Sequence, residues 1–375
     1  MTKINRRDWL RKASLTGATG FALPSLLANY SSEEIKSFNA RPLADLIKLS
    51  SNENPYGPSE KVRKAMIDAF DISCRYPFSY SQELFKMIAE KEGVPENHIV
   101  LGGGSTEGLK LVGLTYGKDG GEIIAARPTF LAMMTYARQW GGTVNWVPVT
   151  EDLMHDLPEM EKRISSKTKL IFLCNPNNPT STLLPKKEVM DFCETASKKA
   201  VVFSDEAYYD FIEEPDYPSM VELVKKGENV IVSRTFSKVY GLAGLRIGYM
   251  VAKPSIASEL RKNVMAFTNV LAIQAAKTAM EEKSFYDFSL EQTKAAKKSM
   301  MATLDELGLE YAPSHTNFLF FKSGRNIDQL NAQMKAQGVM VGRPFPPFTD
   351  WCRISTGTLE EVEAFNQALK KVLAS

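Results

Sequence analysis

The 375-residue chain has little cysteine, little histidine and almost no net charge, and each shortage removes a class of function. Its four cysteines, Cys74, Cys174, Cys193 and Cys352, form no CxxC pair and no Cys/His cluster. That spacing encodes neither a metal centre nor a disulfide framework, and the four read as small apolar fillers. The three histidines, His98, His155 and His315, lie apart from every motif and are assigned no chemistry. With 46 Lys+Arg against 44 Asp+Glu the formal net charge is +2. No basic stripe of the kind a phosphate backbone requires is present, so nucleic acid is not an expected partner. No apolar run is long enough for a stable membrane span. A GxGxxG turn in a first βαβ unit is also missing, which argues against a nicotinamide-dependent oxidoreductase.

What is present first is an unusual N-terminus. NRRDWLRK places Arg6 and Arg7 ahead of Trp9-Leu10, and the weakly apolar ASLTGATGFALPSLLA follows. The segment 1–28 is similar to a twin-arginine export signal, which predicts a periplasmic destination and otherwise a cytoplasmic one. Cleavage after Ala28 is imperfectly encoded, because Leu26 stands where a small residue is expected.

Beyond it, seven apolar, β-branched runs alternate with helical patterns: HIVLG, EIIAAR, TVNWVPV, KLIFLC, AVVFSD, NVIVSRTF and RIGYMVA. Crossover-length stretches between them predict an α/β fold with a mostly parallel seven-stranded sheet between helices. After residue 265 a long charged helical stretch and two short strand patterns, TNFLFFKS and WCRIST, predict a smaller α+β domain. The expected organisation is an N-terminal arm at 29–60, a large domain at 61–265 and a small C-terminal domain at 266–375.

Ligands of open parallel sheets bind beyond the carboxyl ends of the strands. There the chain carries GGSTEG, NPNNPT, DEAYYD and SKVYGLAGLR, each directly after a predicted strand. Any one of these reads as a turn, but four in succession read as a site. Lys238 in that setting reads as a lysine that attacks a carbonyl. Such an amine must be deprotonated, which partial burial and a neighbouring cation favour, and Arg246 is positioned in sequence to supply that cation. Backbone N–H groups at a helix start, hydroxyls and a guanidinium form an inventory suited to a phosphate. GGGSTEG, Thr235, Ser237 and Arg246 supply it.

Together these stretches resemble the fold-type I pyridoxal-phosphate enzymes, aminotransferases of classes I and II, and within them the histidinol-phosphate aminotransferase subgroup. The resemblance runs through LSSNENPYGPS at 49–59, RYP at 75–77, GGGSTEG at 102–108, RPTF at 127–130, NPNNPT at 175–180, DEAY at 205–208, TFSKVYGLAGLR at 235–246, TNF at 316–318 and CRISTGT at 352–358. It implies the large-plus-small-domain PLP-transferase fold, pyridoxal 5'-phosphate as cofactor, no metal, and ping-pong transfer of an amino group to a 2-oxo acid. It further implies that Lys238 tethers the cofactor and shuttles the proton, and that Asp205 pairs with the ring nitrogen. Tyr208 and Asn178 would contact the ring oxygen, and Phe130 would stack on the ring. Gly104, Ser105, Thr106, Thr235, Ser237 and Arg246 would hold the phosphate. Tyr76 would reach the cofactor phosphate of a neighbouring subunit, which implies a homodimer with shared sites. Arg353 would anchor the substrate's anionic group, with Asn52, Tyr56 and Arg343 as further specificity positions.

Two departures qualify the resemblance. Ser181 stands where the family has glycine after NPT, which is expected to alter the turn but spare Asn178. An export signal conflicts with histidinol phosphate, a biosynthetic intermediate of the cytoplasm. A decarboxylase like the threonine-phosphate decarboxylases and a non-catalytic pyridoxal-phosphate-binding protein are the alternatives. The second would need an attached DNA-binding or sensor domain, which the chain does not display.

Overall fold

The computed structural model describes residues 46–374; the twin-arginine stretch and most of the expected N-terminal arm lie outside the described residues. β1 (Ile47–Lys48) opens the described chain. The seven predicted runs become β2 (Ile99–Gly102), β3 (Glu122–Arg127), β4 (Thr143–Pro148), β5 (Thr168–Cys174), β6 (Val201–Asp205), β7 (Val230–Thr235) and β8 (Gly248–Ala252). They form one sheet in the order β2-β8-β7-β6-β5-β3-β4. Only β8 runs against its neighbours; it is antiparallel to both β2 and β7.

The strands are continuous hydrophobic runs because both faces of the sheet are covered. Ile171, Leu173, Val202, Val230 and Val232 enter one core with Leu84, Ile88 and Phe192 from the helices at 80–92 and 186–196. Leu170, Phe172, Phe203 and Ile231 enter the other with Leu109, Val112 and Met133 from the helices at 105–117 and 132–139. Successive side chains therefore feed opposite cores, as the two-residue period of a strand demands.

A third core joins Leu49 to Met300, Leu319, Phe321, Cys352, Ile354 and Phe365. Its strands are β9 (Phe318–Lys322) and β11 (Trp351–Ser355), paired antiparallel, and β10 (Val339–Met340), which pairs in parallel with β1. The charged stretch after 265 forms the 24-residue helix Lys283–Glu306. Among the described residues no helix is long and apolar enough to cross a membrane.

Three of the cysteines are buried, as fillers should be, but Cys74 is exposed. It follows the short 3-10 turn Phe70–Ile72, no residue of which is buried, so no core is available for it to fill.

Candidate active site

Six strands run one way, so their carboxyl ends lie along one edge of the sheet. The reversed β8 brings its start, just after Arg246, to the same edge. A cavity of about 920 Å³ opens there. Asn52, Ser105, Thr106, Phe130, Asn178, Asp205, Tyr208, Ser237, Lys238, Arg246, Arg343 and Arg353 all line it. Ser105, Phe130, Asn178, Asp205 and Lys238 meet because the topology places the loops after the strands side by side, while Asn52, Arg343 and Arg353 reach the cavity from outside the seven-stranded sheet.

Lys238 follows β7 and is half-buried. Its Nζ donates to the carbonyl oxygen of Asn52 at 2.9 Å and sits 5.4 Å from the centre of the Tyr208 ring. Burial first, and the Arg353 guanidinium second, push the Lys238 ammonium down to about 8, against the pull of Glu53 and Asp205. The neighbouring cation foreseen from the sequence was Arg246. Arg246 acts in the same direction but is the smaller influence, because it is exposed to water while Arg353 is buried.

Asp205 ends β6, and its carboxyl is buried with Oδ1 lacking any hydrogen-bond partner. Burial raises it to about 7, offset in part by the Ala207 N–H and Lys238. Tyr208 OH accepts from Asn52 Nδ2 at 2.9 Å and from Asn178 Nδ2 at 3.4 Å, and burial holds the phenol well above its ordinary value. Arg353, only 8% exposed, donates from Nη1 to Asn178 Oδ1 at 2.8 Å and from Nη2 to the Ser50 carbonyl at 2.6 Å. Those partners are neutral, its Nε has none, and among the described residues no carboxylate pairs with the guanidinium, which lines the cavity.

On the opposite wall the helix Ser105–Gly117 starts after Gly104, whose φ of 80° is left-handed. The conformation favours glycine, and a Cβ there would come within 2.5 Å of Arg246 Nη2, so that guanidinium would have to move aside. Free N–H groups of that first turn, the Thr235 and Ser237 hydroxyls 2.9 Å apart, and Arg246 make a cradle suited to a phosphate. An orphaned buried carboxylate for a ring N–H, a lysine of lowered basicity and an anion cradle are the features that pyridoxal phosphate needs, and the residues present fit it.

Four expected residues are not part of the cavity lining: Gly104 and Thr235, which stand next to the lining residues Ser105 and Ser237, and Tyr56 and Tyr76. Tyr56 turns away, donating from its OH to Gln292 Oε1 at 3.1 Å and packing edge-on against Phe288. Tyr76 is 76% exposed and packs on Phe78. Arg343 is exposed and stacks over Phe345, with its Nη1 donating to Pro344 O.

Ser181 adopts φ 62°, the left-handed conformation in which a glycine pays no steric cost. Its hydroxyl lies within hydrogen-bonding distance of the Thr180 and Pro313 carbonyls, and Asn178 still faces the cavity.

Residues not singled out from the sequence complete the site. Ser355 Oγ accepts from Asn52 N and donates to Asn52 Oδ1, and Asn317 Nδ2 donates to Asn52 O at 3.1 Å. Both lie inside recognised stretches, CRISTGT and TNF, which was the available signal. Glu53, inside LSSNENPYGPS, and Cys174, directly before NPNNPT, also line the cavity, as do Asn331 and Lys335, whose local sequence carries no mark.

The chain matches the family Aminotransferase class I and II over residues 44–369. It is 37% identical to histidinol-phosphate aminotransferase of Moorella thermoacetica, over 88% of this chain and 86% of that one. It is 34% identical to histidinol-phosphate aminotransferase of Geobacillus thermodenitrificans, over 94% and 96%. In fold it is similar to the histidinol-phosphate aminotransferase of Sinorhizobium meliloti in complex with pyridoxal-5'-phosphate, with a TM-score of 0.83 at 23% identity over 95% of this chain and 99% of that one. With the Lys238–Asp205–Arg353 cavity, these matches make the chain a member of the aminotransferases of classes I and II, a pyridoxal-phosphate-dependent transaminase.

Proposed function

We propose that this transaminase takes an amino donor bearing an anionic group, histidinol phosphate being the donor to which its relatives' names point, and passes the amino group to a 2-oxo acid in a ping-pong cycle. The observation that carries the donor class is Arg353, a buried cation without a carboxylate partner, with Arg343 as a second cation on the same cavity wall. A planar bidentate donor is suited to a carboxylate or a phosphate.

Pyridoxal phosphate, when bound, supplies an aldehyde carbon for the amino group and a ring that withdraws electrons from the substrate's α-carbon. Lys238 would be the residue that holds it covalently, and its free amine would serve as the base for the substrate's α-proton, a task that its lowered basicity favours. Asp205 is the partner that keeps a proton on the ring nitrogen. Tyr208 and Asn178 would donate to the ring oxygen, and Phe130 would cover the ring. Gly104, Ser105, Thr106, Thr235, Ser237 and Arg246 would hold the phosphate. Asn52 orients Tyr208 and Lys238 by hydrogen bonds to both.

We infer a homodimer in which Tyr76 and Tyr56 serve the neighbouring subunit's site. Tyr76, Phe78 and Phe267 form an exposed aromatic cluster, with Phe70 and Met265 also exposed, and an apolar patch of that kind calls for a partner. The domain boundaries foreseen at 60 and 265 are retained in this reading, supported by the separate third core and by the contribution of Leu49 to it. Periplasmic delivery is proposed on the twin arginine alone; the family match begins at 44 and leaves that segment as an addition. An exported enzyme meets a different pool of donors, so fractionation of cells and the donor assay belong together.

The test is titration of the loaded enzyme's visible absorbance with histidinol phosphate, aromatic and dicarboxylic amino acids. Loss of the band with one donor and recovery of its oxo product supports the reading. Carbon dioxide release without an oxo product identifies a decarboxylase instead.

A further inference from the structure

Glu206 and Arg234 neighbour two residues with proposed cofactor roles, Asp205 and Thr235, but alternation along β6 and β7 sends their side chains to the other face of the sheet. There Arg234 Nη2 lies 2.8 Å from Glu206 Oε2, and both side chains are buried. Ser219 joins them: its Oγ donates to Glu206 Oε2 at 2.9 Å and accepts from Arg234 Nη2 at 3.1 Å. Glu206 Oε1 accepts from Met220 N at 2.8 Å and from Ser204 Oγ at 3.3 Å. The Arg234 guanidinium lies 4.0 Å from the centre of the Tyr209 ring, and Tyr209 is the residue after Tyr208. Arg234 lines a separate cavity of about 640 Å³ that shares no residue with the one around Lys238.

We infer that Glu206, Arg234 and Tyr209 are positioning residues that lock the end of β6, carrying Asp205 and Tyr208, to the end of β7, carrying Thr235, Ser237 and Lys238. The inference rests on the proposed cofactor roles of those five residues. Its physical basis is that the backbone ladder between these strands ends at the Glu206 N–H to Ser233 O bond, 3.0 Å. Beyond that bond the ion pair with its stacked ring adds a side-chain connection between the two strand ends, in addition to the Lys238–Tyr208 contact in the cavity. A buried pair costs desolvation and is a weak source of stability, whereas its fixed geometry gives it value as a register device.

The experiment uses Glu206→Gln, Arg234→Lys and the double variant in the full chain. Cofactor-free protein is titrated with pyridoxal phosphate by fluorescence quenching, alongside circular dichroism and the pH titration of visible absorbance. Each single variant is expected to bind pyridoxal phosphate roughly tenfold or more weakly, in the range outer-shell partners exert on metal sites. The double variant is expected to be no worse than the weaker single one, and the pH midpoint of the absorbance to shift. Folded variants that bind the cofactor as tightly as wild type, with an unchanged midpoint and only a lowered melting temperature, overturn the inference and leave the proposed site intact. Wild-type protein that binds no pyridoxal phosphate overturns both. If Arg234→Lys does not fold, Glu206→Gln and Tyr209→Leu carry the same comparison.

Discussion

Asn52 accepts the Lys238 ammonium on its backbone carbonyl at 2.9 Å while its side-chain amide donates to the Tyr208 hydroxyl at 2.9 Å. One residue near the start of the described chain therefore fixes a lysine and a phenol that arrive from two different strands. Asn52 itself is held by Ser355 and Asn317, and its φ of 55° is one that asparagine tolerates better than most residues.

Replacing Asn52 by alanine removes the bonds to Tyr208 and Ser355 and leaves the left-handed backbone with a less tolerant residue. The expected loss of stability is about 1–3 kcal/mol, the penalty of orphaning buried polar partners. Chemical denaturation of wild type and variant measures it, and an unchanged midpoint would show that the hub is dispensable.

Lys238→Ala is expected to fold, to hold pyridoxal phosphate without a covalent bond, and to lose turnover by at least about a thousandfold, within the range of a lost proton-transfer group. Steady-state transamination by the variant at anything near the wild-type rate refutes the role of Lys238.

In the cofactor-free protein, Asp205 makes stability pH-dependent with a definite sign. Its folded value is raised from 3.8 to about 7, so the folded state binds more protons than the unfolded chain between those limits. Its stabilising contribution is complete below 3.8 and is lost as pH rises toward 7, with a slope of at most about 1.4 kcal/mol per pH unit. Asp205→Asn removes this titration. Its melting temperature relative to wild type is expected to rise between pH 4 and pH 7; a constant difference contradicts the assignment.

Arg353→Lys keeps the positive charge but loses the planar fork. The expected result is a KM for the anionic donor about tenfold or more higher, matching the roughly 1.5–3 kcal/mol of a charged hydrogen bond, with a smaller change in kcat. An equal effect on donors with and without a carboxylate or phosphate would remove Arg353 from substrate recognition.

The sheet was legible because its central strands are short runs of β-branched and apolar residues buried on both faces, and a run such as LIFLC has few other uses. The cavity was legible because the loops after those strands carry charged, hydroxyl and amide groups where a plain turn would not. What stayed hidden was coupling over long separations. Asn52 and Ser355 are 303 residues apart, and no local pattern announces that they bond. The cation expected from the sequence to act on Lys238 was Arg246, yet Arg353, from a different core, perturbs it more because burial decides how far a charge is felt. The Glu206–Arg234 pair was hidden by alternation: each residue neighbours a recognised one but faces away from it.

The central claim is that pyridoxal phosphate is tethered to Lys238. Borohydride reduction of the purified protein, followed by peptide mass mapping, tests it most directly. The account predicts a phosphopyridoxyl mass on the peptide containing TFSKVYGLAGLR, located at Lys238. A label on a different lysine, or none after incubation with pyridoxal phosphate, would contradict it.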